Sequence, residues 1–501
     1  MTQAPLERIV IVGGGTAGWM TAAGLTRFLR NSGTQIILVE SDDIGTVGVG
    51  EATLPSIIGF NRLLGIDERD FIRATQGTFK LGIQFVDWKQ KGETYFHPFG
   101  SYGHKLDICD FHHYWLRARQ AGLTAPLDDY CLNSLLARDH RFSPPVSDPS
   151  TPLSTLTHAY HFDAGLYARY LRTYAQARAV QRIEGKITHV AQDAETGFVT
   201  ALHLGDDRTV SGDLFIDCSG FRGLLIEDAL KTGYIDWSAA LPCNSALAVP
   251  SERTKDLHPY TRATARDAGW QWRIPLQHRT GNGYVYCNRF ISDDDAHATL
   301  MTHLEGKPVA EPRLIRFTTG RRAQSWSKNV VAIGLSAGFI EPLESTSIHL
   351  IQKAILKLVR CLPDKTMAPE LVDEFNRQLR FEYEDTRDFI SLHYKATQRD
   401  DTPFWDYNRN NTVTDSLAAR MALFAHSGRL FINDGEAFAL TSWVAVMLGQ
   451  GIIPGTYDPT ANILSEGDIL KSLAIIRDSF AKTAAQQMSH SEFLHAFKLA
   501  N

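Results

Sequence analysis

Ile9-Val10-Ile11-Val12 is an unbroken apolar run. It is followed by a glycine-rich turn, Gly13 to Gly18, and by Trp19 to Leu29, where apolar side chains recur at helical spacing. Ile36 to Val39 is a second apolar run, closed by Glu40. A strand covered on both faces needs continuous apolar character. Strand, turn, helix and strand within about thirty residues make a βαβ unit, whose crossover imposes parallel pairing.

From Glu51 to roughly Pro152 no period persists, and the stretch reads as irregular, aromatic-rich and dominated by loops. The spacing then predicts a helix near Phe162 to Arg178. Short strands follow at Ile187 to Val190, Val199 to His203 and Leu214 to Ile216, with turns at Glu195-Thr196-Gly197 and Gly205-Asp206-Asp207. Residues 243 to 320 read as strands. Val330 to Ile333 reads as a buried strand entering a glycine turn, Ile348 to Leu362 as a helix, and helical patterns dominate from Glu370. The expectation is an α/β body, residues 1–355, with a mainly helical C-terminal module, residues 356–501, joined in one integrated whole.

Composition narrows the partners. With 44% hydrophobic and 21% charged residues, a 501-residue chain can bury a large core without disulfide or metal staples. A net charge of −5 gives no electrostatic ground for nucleic acid or an anionic membrane. Six scattered cysteines (Cys109, Cys131, Cys218, Cys243, Cys287, Cys361) show no metal-ligand spacing, which points to a reduced, cytoplasmic setting and no metal. The N-terminus has no basic stretch leading into an apolar one, and no apolar run approaches the ~18 residues of a bilayer span.

Gly13, Gly15 and Gly18 fit GxGxxG, flanking Thr16 and Ala17 at the helix start. Glycine there permits the tight turn and close backbone approach to a pyrophosphate, which the helix start attracts. Glu40, at the end of the second strand, is placed to bind ribose hydroxyls. These features indicate a dinucleotide without separating NAD from FAD. No second such turn follows a strand, which hints that reducing equivalents come from elsewhere.

Several separated segments resemble the flavin-dependent halogenases, whose best-known branch acts on tryptophan. They are Gly48-Val49-Gly50-Glu51-Ala52-Thr53, Ala159-Tyr160-His161-Phe162-Asp163, Phe215 to Arg222, Trp270-Gln271-Trp272-Arg273-Ile274-Pro275 and Gly338 to Thr346. They occur in the family's order, and Trp270 to Pro275 is similar to its WxWxIP signature. The resemblance implies an FAD-binding Rossmann-like core of the aromatic hydroxylase and glutathione reductase type, with a β-sheet substrate layer. It also implies that Glu51, Ala52, Thr53, Gly334 and Leu335 contact the cofactor.

By the same resemblance Lys80 is the active-site lysine, Glu344 the essential glutamate, and Ser345 a residue between lysine and flavin. The implied halide site is the backbone of Thr346 and Ser347, although the tryptophan branch has glycine where Ser347 stands. A lysine can hold hypohalous acid or form a haloamine, and a carboxylate can take the proton a ring loses on rearomatising. Taken alone, Lys80 reads first as a solvated surface charge, and Glu344 also as a carboxylate complementing the helix that follows. Trp270 and Trp272 share one face of a strand, as core filler or, by resemblance, as a wall shielding the flavin. Reduced FAD is implied to come from a separate flavin reductase, with chloride or bromide as the halide; a homodimer is left open.

His97 and Phe99 resemble the pair that sandwiches an indole ring, yet also suit a strand core. The tyrosine pair that holds a free amino acid in the tryptophan branch has no counterpart in Gly435 to Trp443, where Trp443 offers an aromatic wall or a core residue. The expected substrate is an electron-rich, indole-type aromatic without a zwitterion. The alternatives are an FAD-dependent aromatic hydroxylase and a flavoprotein that binds FAD without turnover.

Overall fold

The computed structural model describes residues 4–44, 50–104 and 108–499. Gly48 and Val49 of the motif named above lie outside the described residues. The chain forms two compact units, each assembled from three separate segments. The first comprises Met1–Gln76, Phe162–Asn244 and Arg316–Glu384, and the second Gly77–His161, Ser245–Ile315 and Asp385–Asn501.

The first unit is built on the expected βαβ element. Arg8–Val12 pairs in parallel with Gln35–Glu40 on one side and Leu214–Asp217 on the other, so that Val12 lies opposite both Val39 and Asp217. Gln181–Glu184 and Val330–Ala332 extend the parallel sheet outward, and Trp326–Ser327 closes one edge antiparallel. Ile9, Val10 and Ile11 have no exposed area, as a strand between two helical layers requires. The helix Thr16–Phe28 packs on the helices Ala164–Gln176 and Ser347–Arg360. A Cβ on Gly24 would come within 2.8 Å of Ile355 Cγ2, so glycine sets that closeness. Ile187–Gln192, Val199–Leu204 and Thr209–Ser211 form a separate antiparallel meander, its turns where the sequence places them.

The second unit carries a large, mostly antiparallel sheet. Its strands run Arg313–Arg316, Ser245–Ser251, Thr280–Tyr286, Gly269–Pro275, Thr261–Arg266, Gly82–Val86 and Thr94–Pro98 in spatial order, with a parallel pairing between Thr261–Arg266 and Gly82–Val86. Among the described residues no strand follows Phe339, and helices occupy the C-terminal part. None of them is long and apolar enough to cross a membrane.

Two expectations need correction. The stretch from Glu51 to Pro152 is ordered, with strands Thr78–Lys80, Gly82–Val86 and Thr94–Pro98 and helices Ser56–Leu64, Glu68–Thr75, Phe111–Gln120 and Leu132–Arg138. These elements are too short for a period to accumulate, and tertiary burial rather than patterning defines them. Within the stretch read as strands lies a helix, Asp293–Thr302. Its signal was present: Ser292 Oγ caps the Asp295 amide, and three aspartates occupy the positive first turn.

Candidate functional site

The glycine turn is tight by necessity. Gly13 has φ +107°, and a Cβ there would lie 2.4 Å from the Cys218 carbonyl oxygen. A Cβ on Gly18 would lie 1.8 Å from the Gly13 carbonyl oxygen, and one on Gly14 would fall 1.3 Å from Glu40 Oε2. Around Gly15, by contrast, a Cβ would meet nothing within 4 Å. Gly15 caps the helix Thr16–Phe28 without a side-chain bond, and no acidic residue sits in its first turn. The positive helix end therefore faces open space, with the Glu40 carboxylate against the turn.

Arg182 holds Glu40 at 2.5 Å and Arg172 lies 3.6 Å away, which fixes that carboxylate. Gly334, φ +81°, begins a short turn with Leu335 and approaches so closely that its Cβ would lie 2.7 Å from Ala17 Cβ. Glu51 and Ala52 lie in the strand Gly50–Ala52, and Thr53 follows it with 1% exposure. Burial, with Asp163 nearby, pushes the Glu51 carboxyl up to about 7. A helix start without acidic residues, a fixed carboxylate at the end of the second strand and crowded glycines are compatible with the pyrophosphate and ribose of FAD.

In the same unit Pro342–Glu344 forms one helical turn, and Glu344 is fully buried. Ser345 then adopts a left-handed backbone, φ 62° and ψ 36°, which costs a non-glycine residue roughly 1–2 kcal/mol. Such strain persists only where the surroundings demand it. Thr346 is the cap of Ser347–Arg360, but its side chain makes no capping bond, and the first turn has no acidic residue. Ser347 is the first residue of that helix and is not among the residues with positive φ, so its backbone does not require the glycine of the tryptophan branch.

The second unit gathers another set. Thr78–Lys80 pairs antiparallel with Ala159–Asp163, setting Lys80 opposite Ala159, and Lys80 has no exposed area. The Phe99 amide donates to the Leu81 carbonyl at 3.0 Å, which brings the Phe99 ring centre to 5.0 Å from Lys80 Nζ. His97, also fully buried, stands edge-on to Phe99 with ring centres 6.1 Å apart and contacts Phe389 and Phe438. Burial holds His161 well below the usual histidine range, with the Lys80 charge adding to the effect.

Trp270 and Trp272 lie on one strand with ring centres 6.1 Å apart. Gly283, opposite Trp272, makes room for that indole: a Cβ there would lie 2.1 Å from it. Trp443, in the helix Leu440–Gly449, is buried against Phe389 with ring centres 4.8 Å apart.

The two units thus hold different halves of the inventory. Gly13, Gly15, Thr16, Ala17, Gly18, Glu40, Glu51, Ala52, Thr53, Gly334, Leu335, Glu344, Ser345, Thr346 and Ser347 belong to the first, and Lys80, His97, Phe99, Trp270, Trp272 and Trp443 to the second. Sequence reasoning missed a buried ion pair in the second unit. Arg420 reaches both oxygens of Glu436 at 2.8 and 2.9 Å and lies 4.2 Å from the Trp443 ring centre. Arg420 and Glu436 are sixteen residues apart, and no local motif marks such a pair.

A glycine turn at the carboxyl end of a parallel sheet, with a carboxylate closing the second strand, defines a dinucleotide-binding oxidoreductase fold. The profile of the family described as tryptophan halogenase matches residues 8–466. A flavin-dependent halogenase from Brevundimonas sp. BAL3 is 47% identical, with a TM-score of 0.95 over 98% of this chain and 99% of that one. One from Xanthomonas campestris is 46% identical, with a TM-score of 0.95 over 99% of both chains. A tryptophan 6-halogenase of Streptomyces albogriseolus is 38% identical over 440 residues, 84% of this chain and 82% of its own. The chain belongs to the tryptophan halogenase family and is a flavin-dependent halogenase.

Proposed function

We propose that the enzyme halogenates an electron-rich, indole-type aromatic without a zwitterion, using chloride or bromide and reduced FAD delivered by a separate flavin reductase. When bound, reduced FAD supplies the electrons with which O2 and halide yield hypohalous acid. The chain's own residues do the rest. The backbone amides of Thr346 and Ser347, at an uncapped helix start, hold the halide. The wall of Trp270 and Trp272 keeps the substrate from reacting directly with the flavin. Lys80, desolvated beside Phe99, holds hypohalous acid by a hydrogen bond or condenses with it to a haloamine, releasing water. The halogen then passes to the ring, which His97 and Phe99 present, and Glu344 takes the proton the ring loses. In sum, hypohalous acid and arene give haloarene and water.

The observation that carries the substrate assignment is the Arg420–Glu436 pair. The one carboxylate in Gly435 to Trp443 is 1% exposed and already neutralised by its own arginine. A free amino acid would need unspent charges to meet its ammonium and carboxylate, because unpaired buried charge is costly. Purified enzyme with a reductase, chloride or bromide, and a panel of indoles, phenols and tryptophan should show larger kcat/KM for indole than for tryptophan. Mass spectrometry reads a gain of halogen rather than oxygen. Preferential conversion of tryptophan would refute the assignment.

A further inference from the structure

The helix that begins at the halide site carries, one turn further on, two buried polar side chains that the reaction does not use: His349 and Gln352. Both meet the hydroxyl of Ser56, the first residue of Ser56–Leu64 and three residues beyond Thr53. His349 Nδ1 lies 2.9 Å from Ser56 Oγ, which donates to Gln352 Oε1 at 2.9 Å. On the other side of the ring, His349 Nε2 faces Glu382 Oε2 at 4.0 Å. Glu382 is 1% exposed, with Lys357 and Lys353 at 3.0 and 3.3 Å from its other oxygen.

With the amide oxygen of Gln352 turned to Ser56, three buried atoms lack a hydrogen-bond partner: Gln352 Nε2, His349 Nε2 and Glu382 Oε2. Exchanging the amide oxygen and nitrogen, which occupy nearly the same space, gives the chain of donors one direction and turns a ring N–H toward the Glu382 carboxylate 4.0 Å away. Gln352 Nε2 then donates to Ser56 Oγ, Ser56 donates to His349 Nδ1, and the His349 Nε2–H points at Glu382. That sequence of donors requires a neutral imidazole. Burial together with Lys353 and Lys357 pushes His349 down to about 3, which favours the neutral ring.

Ser345 is strained, Thr346 makes no side-chain cap, and the Thr346 hydroxyl has no hydrogen-bond partner among the described residues. We propose that Ser56, His349, Gln352 and Glu382 form a polar latch that holds the halide-binding helix start in register with the segment leading out of Glu51–Thr53. Ser56 and His349 are thus positioning residues for the oxidant-forming step. This proposal rests on the halide assignment made above.

Ser56 is exposed, so replacing it leaves the core intact. With full-length enzyme, reductase and FAD, Ser56→Ala should raise the halide KM about fivefold, the worth of one hydrogen bond, and lower product formed per flavin oxidised. KM for the aromatic substrate should hold while the melting temperature falls by a few degrees at most, because His349 and Gln352 lose a buried partner, and Ser56→Thr, which keeps the hydroxyl, should restore both halide KM and melting temperature. Ser347→Asp tests the halide site independently: it favours the helix start but repels an anion, and should raise halide KM more than tenfold. If Ser347→Asp does so while Ser56→Ala leaves halide KM and coupling unchanged, the latch is wrong and the halide site stands. If Ser56→Thr behaves like Ser56→Ala, the hydroxyl is not the tie and the latch is also wrong. If neither Ser347→Asp nor Ser56→Ala moves halide KM, the halide assignment falls and the latch with it.

Discussion

A lysine with no exposed area has surrendered the hydration of its ammonium, and Lys80 retains beside it the face of Phe99 at 5.0 Å. A lysine is rarely placed so for structure alone. Replacing it should leave the oxidant-forming half running and remove the step that delivers halogen. Lys80→Ala should therefore cut haloarene formation at least about a hundredfold while flavin oxidation, followed by absorbance, continues near the wild-type rate. Glu51 makes a second residue-scale prediction. Its carboxyl is raised by burial to about 7, whereas in the unfolded chain it titrates near the ordinary glutamate value of 4.5. Between those values the folded state holds a proton that the unfolded state has lost, so stability falls as pH rises through this window and levels off above it. Glu51→Gln in flavin-free protein should remove that decline and stabilise the fold at pH 8 by up to about 3 kcal/mol, read by denaturant melts at pH 5 and pH 8.

At the scale of elements, the glycine turn and its helix act as one piece. The Gly18 Cα faces the Gly13 carbonyl, and backbone cannot step aside as a side chain can. Gly18→Ala should weaken FAD binding at least about tenfold, measured by flavin fluorescence titration, because the turn must open before the helix start can meet a pyrophosphate. Unchanged affinity would remove this turn from the cofactor site. The βαβ unit was legible because all its information is local: apolar runs, glycines at fixed offsets and a carboxylate closing the second strand. The elements carrying Lys80, His97 and Phe99 were not, since Thr78–Lys80 is three residues long and owes its strand form to pairing with Ala159–Asp163, some eighty residues away. Asp293–Thr302 was legible in its cap but submerged among strands, its apolar residues too few to show a period.

At the scale of the whole molecule, all six cysteines are free and buried. Burial pushes the Cys131 thiol up to about 12 and raises Cys218 further, so neither offers a thiolate at neutral pH. A disulfide-exchange reagent should titrate essentially no thiol in the native enzyme and all six in denaturant, and reductant should leave the melting temperature unchanged. Rapid labelling of the native protein would mean that the buried packing opens readily.

The sequence alone determined the glycine turn of the βαβ unit and the family, because each is written in short runs whose chemistry depends on near neighbours. It did not determine how segments share a unit. Each of the two units draws on three separated stretches, and that assembly is settled by long-range burial of apolar faces, to which local spacing is blind. Tertiary structure alone showed that Ser347 needs no glycine backbone, that Glu436 is spent on Arg420, and that Ser56 meets His349 across 293 positions of chain. Each of these depends on which polar groups lose water together, and only the folded packing decides that.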